Sequence, residues 1–260
     1  MYIELHSRSA FSFLRGASLP EHLAATAGAL ALPALAVCDR DGLYGAPRFF
    51  RAAQENGVRP IIGAEITMED GSVLPLLVEN RTGYQNLSRL ITRAHLRAAK
   101  GKSKVDWDEL AEFAAGLVAL TGDEEGPLAA AMREVVDGAL RRPGRRSATS
   151  LPENSPVQLL EKLVRIFGRE GVFVEIQRHR RRGEESGNAA RVQLARTFCL
   201  PLLACNGALY AEARGRQVLD VFTCIRHHTH LDAAGKLLTA NNQRFLKQGR
   251  EMEALFRDLP

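Results

Sequence analysis

The chain has 260 residues, 45% of them hydrophobic and 25% charged, and a net charge of +5. That is the balance of a soluble globular protein, long enough for one large domain or two small ones and able to bury a core without disulfide staples. No apolar run approaches the ~20 residues of a membrane helix, no basic-then-apolar signal sequence opens the chain, and the positive charge permits contact with nucleic acid without requiring it.

Short apolar runs alternate with longer amphipathic stretches. A strand is expected at Tyr2 to His6, then a helix in "SLPEHLAATAGAL", with Ser18 as cap, Pro20 in the first turn and Glu21 three after the cap. Ala34 to Cys38 reads as a strand, and "GAPRFFRAAQENG" as a helix stopped at Gly57. Strands follow at Pro60 to Thr67 and Val73 to Glu79, then a helix over Tyr84 to Ala99. Leu117 to Thr121 is the next strand, and Pro127 to Leu140 the next helix. The stretch 141–156, "RRPGRRSATSLPENSP", has Pro, Gly, Ser and positive charge and predicts an exposed loop. Beyond it come a helix over Val157 to Phe167, a strand at Val172 to Gln177, a helix over Asn188 to Phe198 and a strand at Leu202 to Asn206. From about Gly215 the pattern changes to helices and connecting loops. This alternation predicts a parallel α/β fold, and seven strands suit either an open sheet or a barrel. Cys38, Cys199, Cys205 and Cys224 form no C-x-x-C pair and have apolar neighbours, which predicts buried free thiols in a reducing cytoplasm.

In parallel α/β folds the working residues gather at the carboxyl ends of strands. Read in order, those ends carry His6, then Asp39 and Arg40 in "CDRDG", Glu65 in "GAEI", His179 in "EIQRH" and Asn206 in "ACNGALY". Such a set suits a divalent metal cluster. Plain readings stand beside it: a hydrogen-bonded strand-end histidine for His6, and turn chemistry for Asp39. Glu65 lies inside the apolar run "IIGAEIT", and a buried carboxylate needs a partner or a metal. Arg8 follows His6 by two, so in an extended chain the two share a face.

The blocks "ELHSRSAFSFLRGAS", "CDRDGLYG", "IIGAEI", "VFVEIQRHRRR", "LPLLACNGALYA" and "VLDVFTCIRHHT" through "EMEALFRDLP" resemble the N-terminal region of bacterial C-family DNA polymerases, above all their error-prone, damage-inducible branch. That region in the family is the PHP (polymerase and histidinol phosphatase) domain. The resemblance implies a distorted seven-stranded barrel with outer helices over residues 1–212, and a helical extension over 213–260 that leads toward a polymerase body absent from these residues. It also implies a metal cluster in active members, and here the match is partial. His6, Asp39, Glu65 and His179 fall on ligand positions. Arg8 and Arg40 stand where the family has histidines, a third ligand histidine would fall near Val73, and Gly207 and Leu209 replace the last two ligands. Arginine stays protonated and forks onto carboxylates. Arg8 and Arg40 are therefore expected to supply, beside Asp39 and Glu65, the charge that metals supply in active relatives.

The resemblance thus implies a PHP domain of an error-prone polymerase in translesion synthesis and DNA repair, cytoplasmic, non-catalytic by itself, with no cofactor expected beyond a residual zinc or manganese ion. Its implied partners are the polymerase body, other translesion proteins, and DNA through the parent protein. A metal-dependent phosphoesterase or 3′–5′ exonuclease is the alternative. Arg178, Arg180, Arg181 and Arg182 form a basic run available to DNA phosphate, or simply solvated. Leu219, Phe222, Leu246, Met252, Leu255 and Phe256 are expected to expose an apolar surface that a polymerase body would cover.

Overall fold

The computed structural model describes residues 2–141 and 155–259, so the loop expected at 141–156 lies almost wholly outside the described residues. Seven strands run through one sheet in chain order: β1 (Glu4–Ser7), β2 (Ala34–Arg40), β3 (Arg59–Thr67), β4 (Val73–Val78), β5 (Leu117–Leu120), β6 (Val172–Ile176) and β7 (Leu202–Ala204). The helices are α1 (Pro20–Ala29), α2 (Ala46–Glu55), α3 (Arg81–Leu96), α4 (Trp107–Glu112), α5 (Pro127–Arg141), α6 (Pro156–Phe167), α7 (Glu184–Phe198), α8 (Gly215–Arg226), α9 (Leu231–Ala234) and α10 (Gly249–Leu255). Every expected strand is present, whereas α4 has no counterpart among the expected helices.

The sheet is mixed, which corrects the all-parallel expectation. β2 runs parallel to β1 and to β3, and β5 parallel to β6, but β4 and β5 are antiparallel. The connection after β3 explains this. Met68 N–H donates to the Ser72 carbonyl at 2.8 Å, and Gly71 sits at φ 85°, so the chain turns straight back. A parallel return needs a crossover of about a dozen residues or more.

The chain forms two compact units. The first comprises Met1–Glu65, Ile176–Ala189 and Ala204–Pro260. Its core is built by α1 and α2. Leu23, Ala24 and Ala27 share one face of α1, and Phe49, Ala52 and Ala53 one face of α2, by their spacing of three and four. They cluster with Leu35 and Val37 of β2 and with Ala208, Ala211 and Leu246. Full burial of a leucine such as Leu23 contributes roughly 1.5–3 kcal/mol. Ser18 does not cap α1: the cap position is Leu19, and the Ser18 hydroxyl instead accepts from the Ala211 N–H at 2.9 Å.

The expected apolar surface also needs correction. Leu219, Leu246, Met252 and Phe256 are buried. On α8 the exposed apolar side chains are Val218, Val221 and Ile225, opposite the buried face that carries Leu219, Thr223 and Cys224.

The second unit comprises Ile66–Glu175 and Ala190–Leu203. Asn80 caps α3, its Oδ1 accepting from Gly83 N–H at 3.1 Å. Gly83 lies so close to the next strand's approach that a Cβ there would sit 1.8 Å from the Gly116 carbonyl oxygen. Leu87 and Leu90 of α3, and Leu159, Leu160 and Leu163 of α6, are buried. Cys38, Cys205 and Cys224 are buried free thiols, but Cys199 is exposed. Among the described residues no helix is long and apolar enough to cross a membrane.

Candidate functional site

The first unit carries a polar centre organised around Glu65, which is fully buried. Two local rules bring its partners in. His6 and Arg8 follow the period-two alternation of an extended chain. Arg40 and Glu65 are register partners on the parallel strands β2 and β3. Arg8 Nε donates to Glu65 Oε1 at 2.5 Å, and Arg40 Nε donates to Oε2 at 2.9 Å. His6 Nε2 lies 2.7 Å from Oε1, where an ionised carboxylate accepts. Burial pushes the Glu65 carboxyl up, but the Arg8 and Arg40 guanidiniums and the His6 hydrogen bond hold it well below the usual carboxylate range. The carboxylate is therefore ionised and doubly ion-paired in a dry setting.

Asp39 is held differently. Ser9 N–H donates to its Oδ1 at 2.8 Å, Ser9 Oγ donates to Oδ2 at 2.8 Å, and Ser12 Oγ donates to Oδ1 at 2.7 Å. Ser12 Oγ also accepts from Arg40 N–H at 3.0 Å. Burial raises the Asp39 pKa, and the serine hydrogen bonds draw it only part of the way back. Ser9 and Ser12 escaped the sequence reading. Their signal is the "SRSAFS" run that follows β1, where hydroxyls two and five residues past the strand reach the neighbouring strand end.

His179 occupies another polar layer. Its Nε2–H donates to the Asn206 carbonyl at 2.7 Å. Asn206 N–H donates to Glu4 Oε2 at 2.9 Å, Tyr2 Oη donates to the same oxygen at 2.6 Å, and Lys247 Nζ donates to Asn206 Oδ1 at 3.0 Å. Burial raises Glu4 above the ordinary glutamate range and pulls Lys247 down to about 8. Neither residue stood out in the sequence, since Glu4 is a single charge within the first expected strand and Lys247 lies in the polar stretch "NNQRFLKQGR".

In the basic run, Arg178 is engaged within the unit. Nη1 donates to Asp258 Oδ1 at 2.5 Å, Nη2 donates to Asp258 Oδ2 and to Glu185 Oε2 at 2.8 Å each, and the guanidinium lies over the Phe256 ring at 5.2 Å. Arg180, Arg181 and Arg182 are exposed.

A clustered metal needs several lone pairs aimed at one point. The Glu65 oxygens here receive donors from His6, Arg8 and Arg40, the Asp39 oxygens receive serine donors, and His179 spends Nε2 on a carbonyl. Two guanidiniums at Glu65 also repel a divalent cation. Among the described residues no three His, Cys, Asp or Glu side chains are grouped so as to hold a metal ion. The residues present do not fit a metal cluster.

Fold and site thus define an α/β protein with a carboxylate-centred, guanidinium-neutralised pocket at its strand ends. The PHP domain family matches residues 4–179, and the chain belongs to that family. Along its length it is also similar to error-prone DNA polymerases. It is 36% identical over 267 residues to that of Mycolicibacterium paratuberculosis, covering 98% of this chain and 23% of the relative. With that of Anaeromyxobacter sp. (strain K) it is 34% identical over 274 residues, covering 100% of this chain and 21% of the relative. The chain therefore spans between a fifth and a quarter of the length of these curated relatives. Among solved structures, the lesion-specific endonuclease of Pyrococcus furiosus is similar at a TM-score of 0.45 and 15% identity, covering 80% of this chain and 48% of that one.

Proposed function

We propose that this chain is the PHP portion of an error-prone DNA polymerase acting in translesion synthesis and DNA repair in the cytoplasm, and that its pocket is a structural ion-paired centre. The observation that carries the second half is the pair of arginines on Glu65. In a hydrolytic site, metals ~3.5–4 Å apart activate water and neutralise the leaving oxygen. Here Arg8 and Arg40 neutralise Glu65 instead, and a guanidinium with a pKa above ~12 cannot generate a hydroxide nucleophile. His6, Asp39, Glu65 and His179 are then remnants of a ligand set, and nucleotidyl transfer belongs to the rest of the longer polypeptide. In this reading residues 1–212 form the PHP body and 213–260 an extension toward the polymerase body. The outer face of α8, with Val218, Val221 and Ile225, is where that body docks.

The test is direct. The purified chain is analysed for zinc, manganese and iron and assayed against a phosphodiester substrate and a 3′-recessed DNA with added manganese. The expected result is substoichiometric metal and no turnover. Stoichiometric metal with turnover abolished by His6→Ala would overturn the structural reading and favour a metal-dependent phosphoesterase or exonuclease.

A further inference from the structure

The second unit has a groove of about 860 Å³ that the pocket chemistry leaves unused. One wall is α3 and the other is Phe113, just past α4. Arg89 and Arg93 of α3 and Arg97 at its C-terminal cap recur every four residues and so form one column. Leu96 stands beside them with 83% of its surface exposed. Two of the arginines are preset. Arg93 Nε lies 3.1 Å from Glu109 Oε1, and Arg93 Nη1 lies 2.6 Å from Glu112 Oε2. Arg97 Nη2 lies 2.5 Å from Glu109 Oε2. Glu109 is almost wholly buried, so it acts as a fixed post that holds both guanidiniums at the groove wall. Arg89 makes no ion pair with any described residue.

We propose that this groove docks a partner peptide that combines acidic side chains with at least one large apolar side chain. Charge complementarity selects the occupant. Arg89 offers an open guanidinium fork, which binds a carboxylate bidentately. Arg93 and Arg97 are already paired with Glu109 and Glu112, so they line the groove in fixed positions and the acidic contact falls to Arg89. Leu96 on the α3 side supplies an exposed apolar surface that an aliphatic or aromatic anchor covers well, with Phe113 opposite it beneath the Arg93 guanidinium at 5.9 Å. A nucleic acid strand suits the groove less. Its attraction comes from unpaired cations that release counterions. Glu109 and Glu112 already offset two of the three arginines, and the exposed Leu96 gives phosphate nothing.

The test pans a random twelve-residue peptide library displayed on phage against the 260-residue chain. Enriched peptides are then synthesised and their affinity measured by fluorescence anisotropy on the parent, Arg89→Glu and Leu96→Ser, all surface changes whose folding is checked by circular dichroism. The expected outcome is a consensus of Asp or Glu around an apolar residue, with binding roughly tenfold weaker on each variant, a loss equal to about 1.4 kcal/mol. A twenty-nucleotide oligothymidylate serves as competitor. Failure to enrich, a consensus without acidic residues, equal binding by the variants, or displacement by the oligonucleotide through Arg89 would each overturn the proposal.

Discussion

At the scale of single residues, the centre rests on Glu65 and its two arginines. Arg40→Ala leaves Glu65 with Arg8 and His6 but strips one charge-assisted hydrogen bond from the buried carboxylate, at a cost of roughly 1.5–3 kcal/mol. It should therefore lower the melting temperature in calorimetry by roughly 5 °C, from about 2–4 °C per kcal/mol for a chain of this size. A chelator should leave the parent's melting unchanged. A chelator-sensitive parent with an indifferent Arg40→Ala would show that the pairing is not what holds the pocket.

The same carboxylate makes a pH prediction. The folded pKa of Glu65 is depressed, so its contribution is fully present above the ordinary carboxylate range and is lost only as pH falls through the depressed value. The Glu65 carboxyl carbon, followed by nuclear magnetic resonance, should stay in its ionised position at a pH where exposed glutamates are already protonated. Asp39 and Glu4 work in the opposite sense, because burial raises them, and stability they contribute is lost as pH rises through their raised values. Lys247 titrates at about 8, below an unfolded lysine at about 10.4. Between those values the unfolded chain binds more protons, so this group makes stability rise with pH across that window. Lys247→Met should flatten the alkaline limb of a melting-temperature profile, and an unchanged limb would assign that limb elsewhere.

At the scale of elements, close backbone approach decides more than propensity does. α3 begins at a cap, and its Gly83 lies against the Gly116 carbonyl. A methyl group there meets backbone rather than a yielding side chain, and forcing extra volume into a packed contact costs ~1–3 kcal/mol. Gly83→Ala should lower the urea midpoint even though alanine is the better helix former. A raised midpoint would mean that the α3 start relaxes freely. The strands were legible element by element because short apolar runs bounded by turn residues carry the strand signal. The direction of β4 was not read, although the five residues between Thr67 and Val73 are too few for a crossover. α4 was missed because six residues hold too little periodicity to register. Ser18 shows the limit of local rules: a good cap in sequence serves a backbone amide 193 positions away.

At the scale of the whole molecule, α8 is apolar on two opposite faces, one buried and one outward. Outward Val218, Val221 and Ile225 should make the isolated chain self-associate at high concentration. Val221→Asp with Ile225→Asp should return sedimentation to a monomer and leave the melting temperature close to the parent's. A parent that stays monomeric at high concentration would remove this face as the place where a larger body docks.

The sequence by itself determined the seven strands, the α/β class and the family, because alternating patterns and motif residues at strand ends are local properties of the chain. It also marked His6, Arg8, Asp39, Arg40, Glu65 and His179 as residues worth watching. Only the tertiary structure decided who pairs with whom. Both arginines go to Glu65 and neither was found at Asp39, which Ser9 and Ser12 hold instead. The reason is physical. Pairing across strands depends on register and on the path of the loop after β1, and burial of Leu219, Leu246, Met252 and Phe256 depends on which helix face meets the core. Neither is written in any window of neighbouring residues, so a hydroxyl, a guanidinium and a carboxylate that look equally available in sequence are sorted only when the strands lie side by side.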